Sequence, residues 1–273
     1  MSLLCLMCPP LLSFAVERAP WLPQDYVIQT NAGYLFEDYQ QVASSHSTFH
    51  KPATNHFFNF NVGGAYYNYT TDRNWYAEAD LLLASNAKQH FGMDSFFLGG
   101  RYLLLDDVGL EDPFSLVVGG ELTKATKRGL HNLGSFHHGQ VEMEIFLSAG
   151  KEFDCREFWV FRSWGSLGLG VADVGSPWLV GSMNFERNYR NFHRFMCSLE
   201  GLYGWGGNSL HPNMHFKGYG PIKHRSLDLT FSYAYSLECE GTFSIAYTHR
   251  VYASNFPSNA NMLFLSINYP FSL

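Results

Sequence analysis

The chain has 273 residues, of which 17% are aromatic and only 15% charged, with a formal net charge of -6. An acidic balance and a sequence pI near 6.0 give no sign of a nucleic-acid partner. The charge content falls well below the roughly 25% of soluble domains, yet a mean hydropathy of -0.13 excludes a chain that is greasy throughout.

The first stretch, "MSLLCLMCPPLLSFA", has an apolar core from Leu3 to Leu12 followed by small Ser13 and Ala15. That is the shape of a secretory signal peptide, although no Lys or Arg precedes the core and Pro9 and Pro10 interrupt it. We read 1–15 as an export signal and 16–273 as one domain. The stretch "RAPWLPQ" that follows shows no alternation and leaves open whether it enters the rest of the fold. Cys155, Cys197 and Cys239 remain beyond the signal, an odd set without metal-ligand spacing, so isolated thiols are expected.

From there the chain is built on two-residue alternation, the period of a strand. About twelve segments show it: 25–38, 55–69, 74–86, 95–106, 113–124, 139–150, 157–171, 177–187, 192–205, 225–238, 241–252 and 261–273. In "HRSLDLTFSYAYSLE", Leu227, Leu229, Phe231, Tyr233 and Tyr235 oppose Asp228, Thr230, Ser232, Ala234 and Ser236. In "GQVEMEIFLSAG", Val141, Met143, Ile145 and Leu147 oppose Glu142, Glu144 and Ser148. No run after the signal reaches the ~18 apolar residues of a membrane helix. The connections alternate too: the longer ones, 39–54, 125–138, 206–224 and 253–260, follow odd-numbered segments. The tight ones, "TTDR" at 70–73, "NYRN" at 188–191 and Glu238 to Glu240, follow even-numbered ones. Such a pattern predicts an all-β, closed, antiparallel up-and-down transmembrane barrel with short periplasmic turns.

The last segment, "NMLFLSINYPFSL", places Leu263, Leu265, Ile267, Tyr269, Phe271 and Leu273 on one face. It resembles the C-terminal strand of Gram-negative outer-membrane β-barrel proteins, departing from the usual terminal Phe. The resemblance implies an outer-membrane location and, as partners, lipid, lipopolysaccharide and the barrel assembly machinery. The Tyr- and Phe-rich, His-bearing sequence is also similar to chlamydial outer-membrane proteins.

In a barrel the polar faces line the lumen, which assigns Glu78, Asp80, Arg101, Glu121, Glu142, Glu144, Arg162, Arg194, Glu200, Asp228 and Arg250 to it. Folding neighbouring segments about their turns pairs Asp80 with Arg101, Glu144 with Arg162, and Asp228 with Arg250. The remaining carboxylates outnumber the remaining cation, so an open lumen would favour cations or neutral solutes. The function expected is a narrow pore for small polar solutes.

The alternative is a lipid-modifying hydrolase: "YTHRVYASNFPSNAN" carries His249, Ser254 and Asn255 and loosely resembles the neighbourhood of lipid A deacylases, with Val251 where Ser would be needed. A third is a plugged barrel whose loops bind a partner. Neither a cofactor nor a metal is expected, because "GLGLGVADVG" sits in an alternating strand and opens no helix. His46, His50, His131, His137, His138, His211 and His215 read as solvated loop residues. Lys124, Lys127 and Arg128 sit where lipopolysaccharide phosphates would meet the rim.

Overall fold

A computed structural model describes residues 18–45, 47–68, 73–86, 89–110, 112–155, 158–237 and 241–272. The expected signal at 1–15, most of the turn at 70–73, the turn at 238–240, His46, Cys239 and Leu273 lie outside these residues.

The described strands are β1 (Val27–Ala43), β2 (Thr48–Asn68), β3 (Arg73–Asn86), β4 (Gln89–Leu105), β5 (Ser115–Ala125), β6 (Val141–Cys155) and β7 (Phe158–Ala172). After them come β8 (Trp178–Tyr189), β9 (His193–Gly204), β10 (Arg225–Ser236), β11 (Thr242–Ser254), a short β12 (Phe256–Ser258) and β13 (Asn261–Ser272). A single helical turn, α1 (Lys127–Leu130), interrupts the sequence between β5 and β6.

Each long strand pairs antiparallel with its neighbour, and β1 pairs with β13 from Val27↔Ser272 to Asp38↔Asn261. The sheet is therefore a closed ring of twelve long strands, with β12 laid against the end of β1 at Gln41–Ala43. Closure removes the unpaired edges that lipid cannot solvate.

Two strands outrun the expectation. β1 and β2 continue through most of 39–54, leaving only 44–47 as their connection. A strand that projects beyond the lipid has water on its outer side, so its outward positions carry Gln40 and Pro52, both exposed, and the alternation that marks a membrane segment fades. The other long connections remain: 126–140, 205–224 and the β11–β13 turn share an end with 44–47. We call this the loop end; β1 begins and β13 ends at the other, the turn end.

The two faces of the wall are inverted relative to a water-soluble protein. Ile145 is 59% exposed while its neighbour Glu144 is 8% exposed. The same holds for Phe231 beside Thr230 and for Leu167 beside Ser166. Phe60, Leu98, Met143, Leu169, Phe195 and Tyr247 extend the apolar exterior around the ring. An apolar outer belt with Ser, Asn, Glu and Arg inside is the arrangement of a barrel that spans an outer membrane. No described helix is long and apolar enough to cross a membrane. Of the thiols, Cys155 is exposed and Cys197 partly so, and both are free.

The exterior generates a prediction. Ile145→Lys places a charge on the lipid face and costs about 2–4 kcal/mol near the bilayer midplane. Urea titration of the barrel in lipid vesicles should show that loss, whereas an Ile145→Leu control should unfold with the wild type.

Candidate functional site in the lumen

The lumen is occupied from both ends. At the turn end, the chain ahead of β1 turns inward and runs along the walls of β4 to β7. Trp21 donates its indole N–H to Asp107 at 3.0 Å and meets Trp164 edge-on with ring centroids 5.7 Å apart. The Arg162 guanidinium lies 4.7 Å from the Trp21 ring centre. Further up, Arg101 donates to the carbonyl of Ala19 at 3.1 Å and stacks on Tyr76, and Ser148 donates to the carbonyl of Arg18. Arg18 itself reaches Glu144 at 2.5 Å and Glu121 at 3.4 Å. Residues 18–24 thus form an internal strap held by charge, indole and backbone contacts.

At the loop end, connection 205–224 folds into the barrel instead of away from it. Leu210, Phe216, Tyr219 and Ile222 pack with Tyr39, Val42, Phe57 and Phe256 in an apolar cluster against β1 and β2. Asn255 anchors it, its amide donating to Ser45 Oγ at 2.9 Å and to the carbonyl of Lys223 at 2.7 Å, and its carbonyl accepting from the N–H of Leu210 at 3.0 Å. Connection 126–140 locks onto the same loop: the N–H groups of Tyr219 and Gly220 donate to the carbonyls of His137 and His138 at 2.8 and 3.0 Å.

Two histidine sites fasten this lock in opposite protonation states. His137 Nε2 lies 2.8 Å from Asp94 Oδ2, its Nδ1 lies 3.6 Å from Glu142, and Ser135 completes Asp94 at 2.8 Å. Burial disfavours the charged ring, but these two carboxylates outweigh it and push His137 up to about 10. His138 stacks on Trp178 with centroids 3.6 Å apart, and its Nε2 meets His224 Nε2 at 3.2 Å. Burial lowers His138 well below the ordinary value, helped by the neighbouring His224 and His137, and lowers His224 to about 4 against the opposing bond to the Ile222 carbonyl. With Nδ1–H of His224 donating to Ile222 at 2.8 Å, its Nε2 is the acceptor and His138 the donor. Glycine makes room for both stacks: a Cβ at Gly170 would lie 2.0 Å from the Trp178 ring, and one at Gly204 would lie 2.1 Å from the His224 ring.

Between strap and loops lies a chamber of about 140 Å³ ringed by the strands. Seven carboxylates line it: Glu37, Asp80, Glu121, Glu142, Glu144, Glu200 and Asp228. Arg18 and Arg250 are its arginines.

The residues assigned to the lumen from sequence fall as follows. Glu78, Asp80, Arg101, Glu121, Glu144, Arg162, Arg194, Asp228 and Arg250 are buried inside the ring, while Glu142 and Glu200 are half-buried. The structure brings Asp228 and Arg250 together in a two-pronged ion pair at 2.8 and 3.0 Å.

The other two expected pairs are not formed, because the turns lie elsewhere. The β3–β4 connection falls at 87–88, so Arg101 faces Tyr76, and Asp80 faces Phe97. The β6–β7 connection falls at 156–157, so Arg162 pairs with Glu152 and Glu144 takes Arg18. Glu144 also accepts the Trp178 indole N–H at 3.1 Å. Arg194 lies 3.9 Å from Glu186, beyond hydrogen-bond reach.

The catalytic candidates do not meet. His249 lies on the outward face of β11 and contacts Asn261 at 3.0 Å. Ser254 ends the same strand five residues on, roughly 16 Å away at a strand's rise. Asn255 is spent on the loop anchor described above. His137 and His138 are buried rather than solvated, and His50 lies within β2. Among the described residues no cluster of three or more His, Cys, Asp or Glu is arranged to hold a metal.

The barrel resembles solved outer-membrane proteins. An outer-membrane channel from Pseudomonas putida F1 superposes with a TM-score of 0.66 at 10% identity, covering 92% of this chain and 97% of that one. The KdgM porin and the NanC porin superpose with a TM-score of 0.52 each, at 8% and 9% identity. They cover 88% and 89% of this chain and 99% and 98% of their own. At such identities the likeness establishes the fold, that of an outer-membrane β-barrel. No family model and no curated protein matches the sequence.

The histidine lock has a pH dependence of definite sign. The neutral His138–His224 bond contributes fully above about 6.5 and is lost as the pH falls toward about 4, where both Nε2 atoms would carry hydrogens. The His137 clasp runs the other way, complete below about 6.5 and lost as the pH rises through about 10. Hydrogen exchange at the Tyr219 and Gly220 amides, corrected for intrinsic rates, should lose at least about tenfold protection between pH 7 and pH 4. His224→Phe should weaken that dependence, leaving the part that comes from buried His138.

Proposed function

We propose that the protein is an outer-membrane channel for small cations or neutral polar solutes, with a lumen kept narrow by the strap and the inward loops. The observation that carries this reading is the chamber: a space lined by seven carboxylates at the centre of a lipid-spanning ring. Charges confined in a narrow pore set the sign of what enters, and here carboxylates outnumber arginines seven to two. That structurally similar barrels are an outer-membrane channel and porins supports a transport role.

The hydrolase reading loses its support, since His249 and Ser254 sit apart on one extended strand and a base must lie within hydrogen-bond reach of its nucleophile. Lys124, Lys127 and Arg128 are exposed around α1 at the loop end, which supports contact with lipopolysaccharide phosphates there. The C-terminal strand pattern supports handling by the barrel assembly machinery. The Tyr-, Phe- and His-rich composition supports a chlamydial-type member of the class.

Reconstitution into planar bilayers tests the reading. A potassium chloride gradient should give a reversal potential of cation-selective sign, and the double variant Glu121→Gln/Glu200→Gln should move it toward zero. Anion selectivity, or the absence of any conductance from pH 4 to pH 8, would refute the channel.

A further inference from the structure

The chamber's carboxylates and its apolar groups share one space. β3 and β9 both run toward the loop end, and on each a carboxylate precedes a leucine on the inner wall: Asp80 before Leu82, and Glu200 before Leu202. On these two strands the carboxylates lie on the turn-end side, whereas on β1 Glu37 lies above Leu35 and on β6 Glu142 lies at the loop end. Leu133, Phe136 and Phe256 bring apolar and aromatic surface to the loop end, beside Ser135 and His137.

The chamber is short of basic side chains. Seven carboxylates face two arginines, Arg18 and Arg250. Excess charge in an enclosed space is costly unless it is compensated. Asp80 shows the shortfall at one atom: it is 3% exposed, lines the chamber, and its Oδ1 has no hydrogen-bond partner.

We propose that this chamber is a binding site for a small organic cation, an ammonium head on an apolar body. The proposal rests on the channel reading and names the class of solute it holds. The head would sit among Asp80, Glu200 and their neighbours, and the body under Phe136 and Phe256. The carboxylates are spread around the ring and do not converge as the 6–8 oxygen ligands that a hard cation such as calcium requires. An ammonium group needs no such cage, and an apolar body gains by leaving water for apolar side chains. The volume, about 140 Å³, falls below the roughly 300–1,000 Å³ of pockets for drug-sized ligands, so the guest is small.

Calorimetric titration of the full-length barrel in detergent with n-butylammonium chloride tests the site, with potassium chloride, sodium butanoate and n-butanol as comparisons. Saturable binding of butylammonium alone, at least tenfold weaker in Asp80→Asn and in Glu200→Gln, is the expected result. Heat-modifiable gel mobility verifies that each variant is folded. Butylammonium binding that does not saturate, that potassium matches, or that both folded variants retain at full strength overturns the proposal. A barrel that conducts cations yet binds no butylammonium keeps the channel and loses the site; one that binds it and conducts nothing keeps the site and loses the channel.

Discussion

A strand that crosses lipid has nowhere to place an unpaired N–H or C=O except against another strand, so the ring must close. The register of β1 against β13 over twelve consecutive pairs meets that demand. Everything else follows from it. Closure turns one face of every strand toward hydrocarbon and the other toward a confined interior, which is why Ile145 is bare and Glu144 is hidden. The same constraint makes the interior the one place where this chain's scarce charges can gather.

Once gathered, they must be neutralised, and the structure does so with partners of different origin. Arg250 finds Asp228 on the adjacent strand, and Arg162 finds Glu152 across a hairpin. Arg18 comes from outside the sheet altogether to meet Glu121 and Glu144. Amides assist on β2, where Asn55 donates to Glu37 and Asn61 to Glu78, each at 2.7 Å. At the loop end packing takes over: Tyr219 and Phe256 meet with ring centroids 4.8 Å apart, and the two histidine contacts hold the loops together.

The architecture was legible in the sequence because alternation is local. Each segment announces its own two faces, as Leu227 to Ser236 does without reference to any other strand. Register was less legible, since it depends on where each turn falls. Placing the β3–β4 turn at 89–91 rather than 87–88 slides Asp80 four residues past its assigned partner, whereas the β10–β11 hairpin pairs Asp228 with Arg250. Glu37 shared the inward parity of its strand and was visible in principle. Asp94, His137, His138 and His224 were not, because their meeting depends on two long connections folding inward, and nothing in "GSFHHG" distinguishes a buried loop from a solvated one. The strap was hidden for the same reason: "RAPWLPQ" has no period, and its place is set by side chains 82 or more residues away.

The strap also fixes an order of events. It precedes β1 in the chain yet lies inside a wall whose final seam joins β1 to β13, the first strand to the last. The enclosure exists only once β13 has joined β1, and the contacts that hold Arg18 and Trp21 exist only once β4 to β7 are in place.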